Sequence, residues 1–127
     1  MCVILSIMLE RFSQFASTSV GGFLVLALAA YLEAQGDACF QSGLYKSSAL
    51  NRVGFFAAGT VVLVFYSLFL NSAKIDFGKL LGIYVVFFFW VAQLLAKVQF
   101  DQALTKPVCV GGIFITVGGL IMTLWRG

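Results

Sequence analysis

Apolar positions fall into four long runs joined by short polar links. The first reads VGGFLVLALAAYL from Val20 to Leu32 without a charge, and Glu33 and Asp37 follow it. The second covers residues 53–70 and the fourth residues 108–125, again without a charge. The third covers residues 80–97 and carries its one charge, Lys97, at its end. A membrane-spanning helix needs about 20 apolar residues, within a range of about 17 to 25, and each run qualifies. A water-facing helix would show a polar stripe at helical spacing, which the second and fourth runs lack. Lipid offers the backbone no hydrogen bonds, so a spanning segment of this kind closes on itself as a helix. The Val and Phe content of the third run suits a strand, but its length overrules that. The pattern predicts an all-α integral membrane protein, a bundle of four transmembrane helices. These are placed at about 19–44, 53–71, 79–99 and 107–125, in one domain over 19–127. Residues 1–18 are expected to form an interfacial lead-in.

Local signals mark the ends. Ser17, Thr18 or Ser19 offers an N-cap for the first spanning helix. Gly43 is expected to end it, with Tyr45 and Lys46 at the interface. Asn51 and Arg52 precede the second. Pro107 suits the first turn of the fourth, where a missing N–H does no harm, and Trp125 reads as an interface anchor. The opening MCVILSIMLERFSQFASTS lacks a basic stretch before its apolar run and makes a poor signal peptide. Met8 offers an alternative start, and Glu10 and Arg11 suit an interface.

Composition agrees with the pattern. The 127 residues are 61% hydrophobic and only 10% charged, against about 25% charged in soluble domains. Mean hydropathy is +1.04. The net charge of +3 is dispersed, with no basic patch of the kind nucleic acid needs. There is no histidine, which removes the commonest proton shuttle and metal ligand. Cys2, Cys39 and Cys109 have no CxxC spacing and read as apolar filler. No nucleophile–base pair or phosphate loop argues for an enzyme, and no cofactor or metal is expected. Arg11, Lys74, Lys79 and Arg126 fall on the side of the termini, against Lys46, Arg52, Lys97 and Lys106 on the other. This balance gives the positive-inside rule nothing to act on. It suits a protein that inserts both ways up, or one whose orientation a partner imposes.

The candidate chemistry starts at Glu33. Glu33 and Asp37 share a helical face, and an ionised acid deep in a bilayer costs several kcal/mol on most scales. Such a group faces the bundle interior, a cavity or a counter-charge. Glu33 therefore reads as a proton-coupled cation site or as an acid that glues helices together. Tyr84 and Tyr31 are candidate partners, since a phenol donates to a carboxylate. Asp37 and Lys97 are expected at similar depth on helices that run the same way, as an ion pair or with Lys97 binding an anion. Gly111 and Gly118 lie about two turns apart, placed for dimer or internal helix packing. Phe87, Phe88, Phe89 and Trp90 point around their helix, toward lipid and core. Gln93 shares the Lys97 face.

These residues resemble the small multidrug resistance transporters of the drug/metabolite transporter superfamily. FDQALTKPVCVGGIFITVGGLIMTLW looks like that family's third loop and fourth helix, with an aromatic exit, an acidic turn, a proline and two spaced glycines, Gly111 and Gly118. LALAAYLEAQGDACFQSGL is similar to its first helix, with Glu33 at the essential carboxylate. The resemblance covers about residues 20–126. It implies an antiparallel homodimer in which the two Glu33 carboxylates meet in a chamber, protons and a cation compete for them, and Tyr84 lines the chamber. It also implies a bacterial inner membrane. Two departures stand out. The family's third helix has a kinking glycine pair where this chain has VVFFFW over Val85–Trp90, and Asp37 and Lys97 are not part of the exporter pattern. They point to a four-helix branch apart from the drug exporters.

The expected function is proton-coupled export of a small cationic or amphipathic compound through a dimer. The alternative is a non-transporting accessory subunit in a larger membrane complex. Paired translocation of a lipid or lipid-linked sugar is a third reading.

Overall fold

The computed structural model describes residues 1–45, 48–74 and 77–125, with the backbone alone for Phe77 and Lys79. Its elements are helices α1 (Cys2–Ser17), α2 (Ser19–Tyr45), α3 (Ala49–Asn71), α4 (Phe77–Phe100) and α5 (Lys106–Leu124). Four of them, α2 to α5, are long and apolar enough to cross a membrane. The all-α, four-span architecture is therefore present. Of the eight loop charges weighed above, Lys46, the Lys79 side chain and Arg126 lie outside the described residues.

The span boundaries follow local chemistry. The hydroxyl of Thr18 accepts the Gly21 N–H at 3.0 Å, so Thr18 caps α2. It also donates to the Phe15 carbonyl at 2.7 Å, which closes the turn between α1 and α2. A Cβ on Gly21 would run into that same carbonyl oxygen, so the turn requires glycine. Gly43 does not end α2. The helix continues to Tyr45, and Gly43 is a packing site whose Cβ would fall 2.7 Å from the Phe56 ring. The start of α3 takes in Asn51 and Arg52 rather than following them. Pro107 sits in the first turn of α5.

The lead-in is itself a helix. On α1, Leu5, Met8, Leu9 and Phe12 lie along Phe65, Leu68 and Phe69 in the second half of α3. The rings of Phe12 and Phe69 are 5.2 Å apart, and Ser13 donates to the Ala73 carbonyl at 3.5 Å. Ala16 is buried with Val25 and Ala73. The segment touches the bundle through Phe12, Ser13 and Ala16.

Helix α2 is the centre. It packs on α1, α3 and α4, while among the described residues α5 packs on α4. The core joins Leu26, Ala29 and Ala30 of α2 to Leu70 of α3 and to Leu80 and Tyr84 of α4. Small residues let backbones approach where lipid gives no hydrophobic drive. A Cβ on Gly36 would fall 2.6 Å from Leu63, and one on Gly59 2.8 Å from Phe40. Phe40 and Phe56 stack beside them, 5.6 Å between centroids. Among the described residues, α3 and α4 have no close backbone approach. They meet through side chains, leaving a groove floored by α2. The outer faces of α3 and α5 are apolar, with Val61, Val64, Leu68, Ile113 and Phe114 exposed. Such faces suit acyl chains, not water.

Candidate functional site: a carboxylate and two phenols at mid-span

Glu33 lies near the middle of α2, on the face turned into the groove between α3 and α4. Its side chain is half-buried. From α4, the buried Tyr84 donates its hydroxyl hydrogen to Glu33 Oε2. From α3, Tyr66 stands beside this pair with its ring against Tyr84. The two phenol rings stack at 6.1 Å and 19°. Phe88 leans on the far side of Tyr84 at 6.3 Å. Three helices thus converge on one carboxylate.

The local sequence explains the arrangement. Glu33 and Asp37 point the same way because they are four residues apart. Tyr84 and Phe88 repeat that spacing on α4, so one stripe of α4 faces both acids. Leu26, Leu70 and Leu80 close the groove on the side where α2 begins. At the other end Asp37 lines a hollow between α2 and α4. A carboxylate held by a phenol donor in low dielectric can take up a proton or bind a cation, and either changes its hydrogen bonding to Tyr84.

Tyr31 is not brought to this site. It is 47% exposed, because two residues before Glu33 is about 200° around the helix. Tyr66 takes the place expected of it. The signal was a hydroxyl-bearing ring inside the apolar stretch TVVLVFYSLFL.

The expected Asp37–Lys97 ion pair is not formed. Asp37 faces Ala92 and Ala96, whereas Lys97 lines a different hollow with Trp90, Gln93 and Leu104. Lys97 follows the buried Leu95 by two residues, which turns it about 200° away from α2. That side of α4 is given over to α5, and the Trp90 indole donates to Thr116 there at 3.0 Å. Lys97 is in the last turn of α4, where a cation complements the helix dipole. Near the end of α4, a second polar link to α2 runs from the Gln99 carboxamide, which donates to Gln35 at 2.6 Å.

Gly111 and Gly118 also differ from expectation as internal packing sites. Nothing lies within 4 Å of a Cβ on either. Their neighbours Gly112 and Gly119 pack on α4, where a Cβ would strike Phe89 and Val86 respectively. The open pair is on a face that this chain leaves uncovered. Of the aromatic run, Phe87 meets Phe23 edge-on at 4.8 Å, Phe88 packs on Tyr84, and Trp90 is exposed.

Comparison of this chain with protein-family models, with curated proteins and with solved structures finds no match.

Proposed function

We propose that this chain is a small secondary transporter, exporting a cationic or amphipathic compound in exchange for protons. Glu33 is the shared site for proton and substrate. The observation that carries this reading is the mid-span carboxylate held by Tyr84, whose ring is stacked on Tyr66. An acid at that depth is costly when ionised, and the Tyr84 hydroxyl, which can donate or accept, gives both protonation states something to bond. The working unit is a dimer, as the resemblance to small multidrug resistance transporters implies, with the uncovered Gly111 and Gly118 face of α5 available to a second copy. The same resemblance suggests a bacterial inner membrane.

The test is uptake into proteoliposomes under an imposed pH gradient, with a panel of organic cations. Wild-type protein should concentrate at least one of them, and Glu33→Gln should lose the pH-driven component. Uptake that is unchanged in Glu33→Gln removes the site.

A second reading is a static accessory subunit of a larger membrane complex. It is favoured by α4, where Phe87 and Phe88 are engaged by neighbours and no glycine pair relieves the run. Mild solubilisation separates the two. A dimer of the 13.8 kDa chain supports transport, and a stoichiometric larger partner supports the subunit.

A further inference from the structure

Asp37 stands one turn beyond Glu33 on the same side of α2, about 6 Å along the axis. Among the described residues it has no hydrogen-bond or ion-pair partner. An unpaired carboxylate within a spanning helix is expensive, and the expected cation, Lys97, lines a different hollow with Trp90 and Leu104 instead. The carboxylate borders a hollow of about 160 Å³ between α2 and α4.

The hollow exists because both helices carry alanine there. Ala34 and Ala38 face Ala92 and Ala96, and these short side chains leave space where larger ones would close the seam. At its inner end is Phe88, the ring that also packs on Tyr84. At its rim are the carboxamides of Gln41 and Gln102. A specific turn places Gln102. The Asp101 N–H donates to the Lys97 carbonyl at 3.1 Å and the Gln102 N–H to the Ala96 carbonyl at 3.1 Å. With Asp101 at φ 53°, the Asp101-to-Lys97 bond is that of an αL helix end, and the turn carries the chain back over the hollow.

The lining is one-signed. Among the described residues it has a carboxylate, two carboxamides and the Phe88 ring, and no lysine or arginine. A small ammonium finds there a counter-charge, carbonyl acceptors and a ring face that attracts cations. An anion finds carboxamide N–H donors but the repulsion of the Asp37 charge. We propose that the Asp37 hollow is a binding subsite for a small organic cation, one helical turn from Glu33 and separated from it by Phe88 and Tyr84. As a staging point for the Glu33 site it rests on the transport reading; as a binding site it does not.

The test is equilibrium binding of radiolabelled tetramethylammonium to the full chain in nanodiscs. Asp37→Asn removes the charge at an exposed position with little change of shape. Asp37→Glu keeps the charge, and Ala92→Leu fills the hollow without touching it. Asp37→Asn and Ala92→Leu should each weaken binding by about tenfold or more, as loss of a charge-assisted contact does, while Asp37→Glu stays close to wild type. Glu33→Gln should leave this binding largely intact. Each variant is first checked for a single elution peak and an unchanged unfolding midpoint. If Asp37→Asn binds as tightly as wild type, or wild type does not bind the probe, the subsite is wrong. PH-driven uptake lost in Glu33→Gln would still support the Glu33 reading. Binding lost in Asp37→Asn alongside uptake unaffected by Glu33→Gln would keep the subsite and remove the Glu33 reading.

Discussion

Tyr84 donates to the carboxylate of Glu33 from 51 residues further along the chain. This bond ties the central helix α2 to α4, and the stacked Tyr66 ring brings α3 to the same point. Tyr84→Phe keeps the ring and its stacking but leaves the half-buried acid short of a donor. An SDS unfolding titration should show a loss of about 1 to 3 kcal/mol. The partner identity is checked by a cycle. In a Glu33→Gln background Tyr84→Phe should cost measurably less, with a coupling of about 0.5 kcal/mol or more. Additive losses would mean that the two side chains act independently.

The turn at Thr18 makes a second prediction. Thr18→Ala deletes the α2 cap and should cost about 1 kcal/mol. Gly21→Ala is the more severe change, since its methyl group meets the backbone carbonyl of Phe15 rather than a movable side chain. Amide hydrogen exchange should show the α1–α2 junction opening in Gly21→Ala, with α3 and α5 unaltered. Protection retained at the junction would contradict the close approach.

Docking of α1 rests on one aromatic contact more than on any polar one. Phe12 packs on Phe69, whereas the Ser13 contact to Ala73 is long, at 3.5 Å. Phe12→Ala should release α1 and speed its hydrogen exchange, with the loss of an aromatic pair worth about 0.5 to 1.5 kcal/mol beyond its buried area. Ser13→Ala should do little. The reverse order would place the docking energy in the hydrogen bond.

Much of this architecture is legible along the chain, and the gaps have physical causes. Spans are read from hydropathy because lipid selects composition, so the four long helices lie close to their expected limits. The joining of Glu33 to Tyr84 follows from there being few polar groups in the bilayer for an acid to bond. Tyr66 was hidden by the apolar run around it, although its hydroxyl is one of few polar groups there. Leu5, Met8, Leu9, Phe12 and Ala16 repeat at the helical spacing that α1 adopts, but a 16-residue segment with Glu10 and Arg11 does not read as a span. Depth alone suggested the Asp37–Lys97 pair, and angle overruled it. Sequence places two residues at one height, but only the packing of α4 between α2 and α5 decides which way each one points.

The same point decides the paired glycines of α5. Sequence offers GG at residues 111–112 and again at 118–119, and within each pair the members point about 100° apart. The second member packs on α4, with a Cβ on Gly119 only 3.1 Å from the Gly82 carbonyl oxygen as well as against Val86. Gly119→Leu must therefore push α5 away from α4, an overpacking cost of about 1 to 3 kcal/mol. It should lower the unfolding midpoint and free the Trp90 indole from Thr116, seen as a shift in tryptophan emission. Gly111→Leu and Gly118→Leu meet nothing within 4 Å in this chain. They should unfold like wild type, so any effect they have on cross-linked dimer yield reports contact with another chain. A dimer band unchanged in both would leave the open face of α5 to lipid. A large loss of stability in either would mean that the register of α5 on α4 differs from the one described.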